Sequence, residues 1–170
     1  VIASGGFYHV SGMFHPQKFW IDAFVHPDHQ GQGVGQALYA RLIERLAPFN
    51  PIALRSEARE DHAAASHLFR KHGYVEEMKF WESRLDVAGF DLARFAGAEE
   101  RARANGVQII TLRDLMRQPG YERPWYEAMV EMGRDVPRPD EFTPVPFEDW
   151  LKGVLENHGL LPEGYFIATH

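Results

Sequence analysis

Residues 30–36 read Gln-Gly-Gln-Gly-Val-Gly-Gln, and this run is where the chain is best suited to hold an anion. Glycines 31, 33 and 35 bare the backbone and open it to positive φ, so several N–H groups can converge on one point. An amphipathic helix is expected to follow at once. Leu38, Leu42 and Leu46, with Ile43 beside them, recur at three and four residues, while Arg41, Glu44 and Arg45 face water. The glycines therefore stand at a helix N-terminus, where free amides and the macrodipole favour a phosphate. Asp22, just upstream, is a carboxylate on an otherwise apolar strand, either a solvated strand-end or ion-paired group or a catalytic one. His26 and His29 flank Pro27-Asp28 in a turn with no third ligand nearby, so no metal site is expected there.

The elements that position these groups follow from pattern. Residues 19–25, Phe-Trp-Ile-Asp-Ala-Phe-Val, are aromatic and branched and stop at Pro27, as a strand does. Phe19, Ile21, Ala23 and Val25 point one way, Trp20, Asp22 and Phe24 the other, and two mostly apolar faces suit a central strand covered on both sides. Residues 1–12 and 18–25 form an antiparallel pair joined around Met13-Phe14-His15-Pro16. After the glycine turn and its helix, Pro48 and Asn50-Pro51 stop the chain and 52–56 is the next strand. Asp61 is expected to cap a helix over 62–71 with Ala64, Ala65, Leu68 and Phe69 on one face, and Gly73 to close it. Residues 74–85 give one or two further strands.

Beyond residue 87 the texture changes. A charged helix is expected over 91–105, closed by Gly106, then a strand at 107–112, a helix at 121–133, and a second helix from Pro146 with Glu148 and Asp149 in its first turn. Residues 164–168 read as a last strand. Trp81, Trp125 and Trp150 sit among apolar neighbours and are assigned to the core.

Two familiar glycine motifs fail. A mononucleotide loop wants Gly-Lys-Ser/Thr, and Gly35 is followed by Gln36-Ala37; a dinucleotide fingerprint spaces its glycines differently from the G-x-G-x-G found here. The order strand, Val-x-Pro, Gln-x-x-Gly-x-Gly, amphipathic helix resembles the pyrophosphate-binding segment of the GNAT superfamily of acyl-CoA N-acyltransferases. The second half of that signature follows in order: Ile52-Ala53-Leu54-Arg55-Ser56-Glu57, then Ala63-Ala64-Ala65-Ser66-His67-Leu68-Phe69, then Gly73-Tyr74.

The resemblance implies a mixed α/β fold and acetyl-CoA as cosubstrate, with no metal. It implies that Ala23, Phe24 and Val25 bind the pantetheine arm through free backbone groups of a splayed strand. Gln30, Gly31, Gln32, Gly33, Val34, Gly35 and Gln36 become the pyrophosphate cradle, and His62 stands where the family commonly has a cofactor-contacting Asn. Glu57 matches an end-of-strand carboxylate that in some members activates the amine through water, with an ion pair to Arg55 or Arg59 as its alternative; Asp22 is the second catalytic candidate. Phe69 stands where the family often has the Tyr that protonates the leaving thiolate, and phenylalanine has no proton to give. An acid must then come from elsewhere: Tyr74, water, or a segment outside this sequence. The implied function is acetyl transfer to a small-molecule amine by direct transfer; the alternative is a degenerate repeat that binds CoA or only supports a neighbouring active one.

The resemblance also sets the domain expectation. Residues 1–87 resemble the carboxy-terminal half of a GNAT domain, 88–106 a linker helix, and 107–170 the amino-terminal half of a second one, in reversed order. A fragment of a tandem GNAT protein explains this, and the halves could complete one another within the chain as a permutant or between chains as a swapped homodimer.

Composition bounds the rest. At 170 residues, 45% hydrophobic and 25% charged, the chain is an ordinary globular protein with a real core and no indicated disorder. A net charge of -6 argues against a nucleic-acid partner, which needs a basic surface. With no cysteine, disulfides, thiolate metal sites and a Cys nucleophile are excluded. No apolar run has membrane-spanning length and no targeting signal is read at Val1, so no membrane partner and a cytoplasmic location are expected.

Overall fold

A computed structural model describes residues 1–170, and they form two compact units, Val1–Lys79 with Pro137–Pro144, and Phe80–Val136 with Val145–His170. In the first unit the order is β1 (Ala3–Tyr8), β2 (Lys18–Val25), α1 (Val34–Leu46), β3 (Ala53–Arg55) and α2 (Ala63–Lys71). The sheet runs β1-β2-β3, with β1 antiparallel and β3 parallel to β2. It is therefore a mixed sheet whose parallel pair is joined through a helix, the α/β arrangement expected from the pattern.

One face of β2 is well covered. Phe19 and Ile21 bury against Tyr39, Leu42 and Leu46 of α1, with Phe7, Leu38, Ile43, Leu54 and Tyr74 packed around them. Gly5 lets α1 come this close, since a Cβ there would lie 2.6 Å from the Asp22 carbonyl and 3.1 to 3.2 Å from Leu42 and Leu38. The other face departs from expectation: Phe24 is 67% exposed, and only the end near Lys18 is screened. There Pro137–Pro144 lies in the same unit, its buried Asp140 paired with Lys18 and Arg55, its Pro139 carbonyl accepting from Arg55, and Thr143 N–H bonded to the Gly12 carbonyl.

Three local expectations need correction here. Asp61 does not cap α2; His62 holds the cap position without a side-chain bond, because the Asp61 carboxylate is engaged by Arg59. Residues 74–85 form no strand. Phe80 and Trp81 are adjacent and would point to opposite sides of a strand, so the run has no single apolar face, and Glu77 and Lys79 are tied instead to Arg55 and Glu60. Trp81 is 86% exposed and is not core. Gly73 does close α2 at φ +80°, with Tyr74 N–H reaching the Phe69 carbonyl and Gly73 N–H the Arg70 carbonyl.

In the second unit the order is α3 (Ala98–Ala104), β4 (Gln108–Thr111), α4 (Leu112–Leu115), α5 (Glu122–Arg134), α6 (Phe147–Leu155) and β5 (Phe166–Thr169), with β4 and β5 antiparallel. The expected helix over 91–105 is broken: a 3-10 turn at Leu92–Phe95 ends before Gly97, whose φ of +72° starts α3 afresh. α4 was not expected; Thr111 caps it by accepting from Asp114 N–H. Leu112 and Trp125 are buried, and Trp125 meets Trp150 and Tyr165 edge to face.

Candidate active site

β2 and β3 pair only from Lys18 to Trp20, opposite Ala53 to Arg55. β2 then runs on alone for residues 21–25, an opening of roughly 16 Å at the usual rise per residue. The carboxyl ends of a parallel pair are where α/β folds receive ligands. Backbone parity fixes what faces this opening. His26 N–H bonds the Ile2 carbonyl, so even-numbered peptide groups of β2 turn to β1. Odd ones turn to the gap: the Ile21 carbonyl accepts from Ser56 Oγ at 2.8 Å, and the Val25 carbonyl from Gln30 Nε2 at 3.0 Å. The N–H and C=O of Ala23 and the N–H of Val25 are left facing the opening. The peptide groups of Phe24, an even-numbered residue, turn to β1 instead, so the expected backbone role falls to Ala23 and Val25 alone.

At the outer end lies the glycine turn. Gly31 and Gly33 have φ of +73° and +82°, and Gly33 caps α1 in the left-handed region. Gly35 has no such need, since it sits inside the first turn of α1 with its Cβ direction 3.5 Å from Val25 Cγ2. The first helical bond is Ala37 N–H to the Gly33 carbonyl. The N–H groups of Gly31, Gln32, Gly33, Val34, Gly35 and Gln36 therefore have no partner in the protein. The two glutamine side chains fold back on the loop, Gln30 to Val25 and Gln32 to the Asp28 carbonyl at 3.0 Å. They brace the turn, and the main chain is what remains for an anion.

The carboxylates stand at the inner end. Tyr8 donates its phenol to Asp22 Oδ2 at 2.8 Å. Glu57, just past β3, is exposed and takes no ion pair, because Arg55 is held by Asp140 and Glu77 and Arg59 by Asp61. The Tyr8 phenol is raised first by its bond to Asp22, then by burial, and then by the charges of Asp22 and, least, Glu57. This Tyr8 link was not foreseen. The diagonal of an antiparallel pair could have revealed it once the register was known. His62 is exposed at the start of α2. Phe69 lies against Tyr74, ring centroids 5.1 Å apart, and the Tyr74 hydroxyl turns to that of Tyr39 at 3.4 Å. Burial, then that hydrogen bond, pushes the Tyr74 phenol up. No three His, Cys, Asp or Glu side chains are placed to hold a metal ion; His26 Nδ1 accepts from Asp28 N–H.

Fold and geometry thus define a mixed α/β domain with an amide-lined helix start beside a splayed parallel pair. A family profile described as an acetyltransferase (GNAT) domain matches residues 1–76, so this part of the chain is similar to that family. The mycothiol acetyltransferase of Stackebrandtia nassauensis is 32% identical over 71 residues, 42% of this chain and 23% of that protein. The L-amino acid N-acyltransferase MnaT of Escherichia coli K12 is 35% identical over 52 residues, 31% of this chain and 30% of that one. The chain thus spans under a third of either relative's length. Among solved structures, the aminoglycoside acetyltransferase HMB0005 from an uncultured soil metagenomic sample superposes with a TM-score of 0.41 at 20% identity, covering 50% of this chain and 59% of that one. GNAT acetyltransferases use acetyl-CoA. No helix is long and apolar enough to cross a membrane.

Proposed function

We propose that this chain carries the cofactor-binding part of an N-acetyltransferase that moves the acetyl group of acetyl-CoA to a small-molecule amine by direct transfer. The observation that carries this reading is the row of six unpartnered amides from Gly31 to Gln36 at the outer end of the splayed pair. Those amides would hold the diphosphate, and the exposed peptide groups of Ala23 and Val25 the pantetheine arm. Bound acetyl-CoA supplies an activated acetyl thioester. Glu57, unpaired just past the end of β3, would take the proton of the incoming amine, directly or through one water, and Asp22 is the second candidate. The names of the two relatives, a mycothiol acetyltransferase and an L-amino acid N-acyltransferase, support a small-molecule acceptor.

A second reading has its own observation. Phe69 offers no acid and Tyr74 is turned to Tyr39, which favours a repeat that binds CoA without turning it over. One pair of measurements separates them. Calorimetry with acetyl-CoA is expected to show saturable one-site binding, and thiol release with a panel of primary amines to show turnover. Binding without release selects the second reading; no binding refutes both. The element order of 107–170, strand, helices, antiparallel strand, supports our further assignment of that part as the amino-terminal half of a second GNAT domain in a tandem protein.

A further inference from the structure

The even-numbered face of β2 carries groups that the cofactor does not use. Lys18, Trp20, Asp22 and Phe24 share it, and Arg55 joins it opposite Trp20. Its two cations, Lys18 and Arg55, are both held by Asp140. Asp22 is left without a basic partner, and so is Glu57. What Asp22 has instead is Tyr8. Gly6, directly opposite Asp22 on β1, adds no side chain, and a Cβ there would meet nothing within 4 Å. The phenol of Tyr8, one pleat further on, crosses that space to Asp22 Oδ2.

We infer that Tyr8 is a positioning residue for the acceptor: its hydroxyl fixes the Asp22 carboxylate so that the remaining oxygen meets the ammonium of an incoming cationic amine. The inference rests on the acetyltransferase reading above. A phenol suits the task because it donates one hydrogen bond, brings no charge that would compete with the amine, and stays protonated where the carboxylates are ionised. The acceptor expected is therefore a primary amine that arrives protonated and gives up its proton in the site, rather than an alcohol or a thiol.

The test uses the full chain with Tyr8→Phe, Asp22→Asn and the double variant, measured with acetyl-CoA and the amine that wild type turns over fastest. Tyr8→Phe keeps the ring and should leave acetyl-CoA affinity within twofold. It should raise KM for the amine about fivefold, the worth of one partly exposed hydrogen bond, with less change in kcat. In the Asp22→Asn background the same change should have no further effect. Independently of turnover, Asp22→Asn should lower the pH at which the Tyr8 phenol ionises, followed by ultraviolet absorbance against Tyr8→Phe. An unchanged amine KM, or an equal Tyr8→Phe effect in both backgrounds, overturns the inference while leaving cofactor binding intact. Loss of acetyl-CoA binding or turnover in wild type refutes the parent reading instead, and this one with it.

Discussion

Gly33 offers the sharpest test of the anion site, because its backbone and its surroundings separate two effects. Its φ of +82° is left-handed, while a Cβ would meet nothing within 4 Å. Gly33→Ala therefore adds conformational strain without a clash, about 1–2 kcal/mol. Gly33→Glu adds the same strain and a carboxylate among the free amides. At about 6 Å from a diphosphate, each pair of unit charges repels by about 0.7 kcal/mol in water and about 2.8 kcal/mol at an effective dielectric of 20. Two phosphate charges make the lower bound about 1.4 kcal/mol, or about tenfold in Kd beyond the alanine variant. Calorimetry with acetyl-CoA at low salt reads this ratio, and thermal melts confirm that both variants fold alike. In about 1 M salt, where the screening length is about 3 Å, the ratio should shrink. Two folded variants binding acetyl-CoA equally well would refute the assignment of the diphosphate to this turn.

Other variants test the framework. Gly5→Ala places a Cβ 2.6 Å from the Asp22 carbonyl, a backbone atom that cannot step aside, and should destabilise the first unit by about 1–3 kcal/mol in denaturant titration. Asp114 is held below the usual carboxylate range first by the Thr111 hydroxyl, opposed by burial and helped by Thr111 N–H geometry, Arg117 and Arg113. Its folded pKa is depressed, so its contribution is present above the ordinary value of 3.8 and lost as pH falls through the folded one. Wild type should therefore melt above Asp114→Asn at pH 7, and the two should converge near pH 2.

How far the sequence reveals this molecule depends on where each element finds its stability. β2 was read to within one residue, and α1 nearly so, because each carries its own apolar period and its own stop in Pro27 or Pro48. Residues 74–85 misled because β-rich composition does not specify a strand without a partner edge and a single apolar face. The break at Gly97 was hidden in a helical pattern that ran through it on both sides. Tyr39 is a core residue outside the leucine pattern of α1, and nothing in that pattern signals that its ring lies tilted against His72. Pro137–Pro144 could not be placed at all. Nothing in its sequence says that Asp140 will find Lys18, 122 positions away.

The site divides along the same line. Groups that act through the main chain left a mark in the sequence, because only glycine permits the φ values at positions 31 and 33, and an unpaired helix start needs bare backbone around it. The glutamines show the limit of that mark: Gln30 and Gln32 look like anion ligands, yet both side chains are engaged within the loop. Carboxylate roles left a weaker mark. Asp22 and Glu57 are separated by a strand end, a glycine turn, a helix and a strand, and what relates them is the phenol of Tyr8 on a third strand. The register that aligns Gly6 with Asp22, and so clears the diagonal for Tyr8, exists only once β1 and β2 have paired. If acceptor recognition runs through that diagonal, substituting Gly6 with a bulky residue should impair amine use with acetyl-CoA affinity unchanged, since the side chain would stand between Tyr8 and Asp22 on the face away from the cofactor turn.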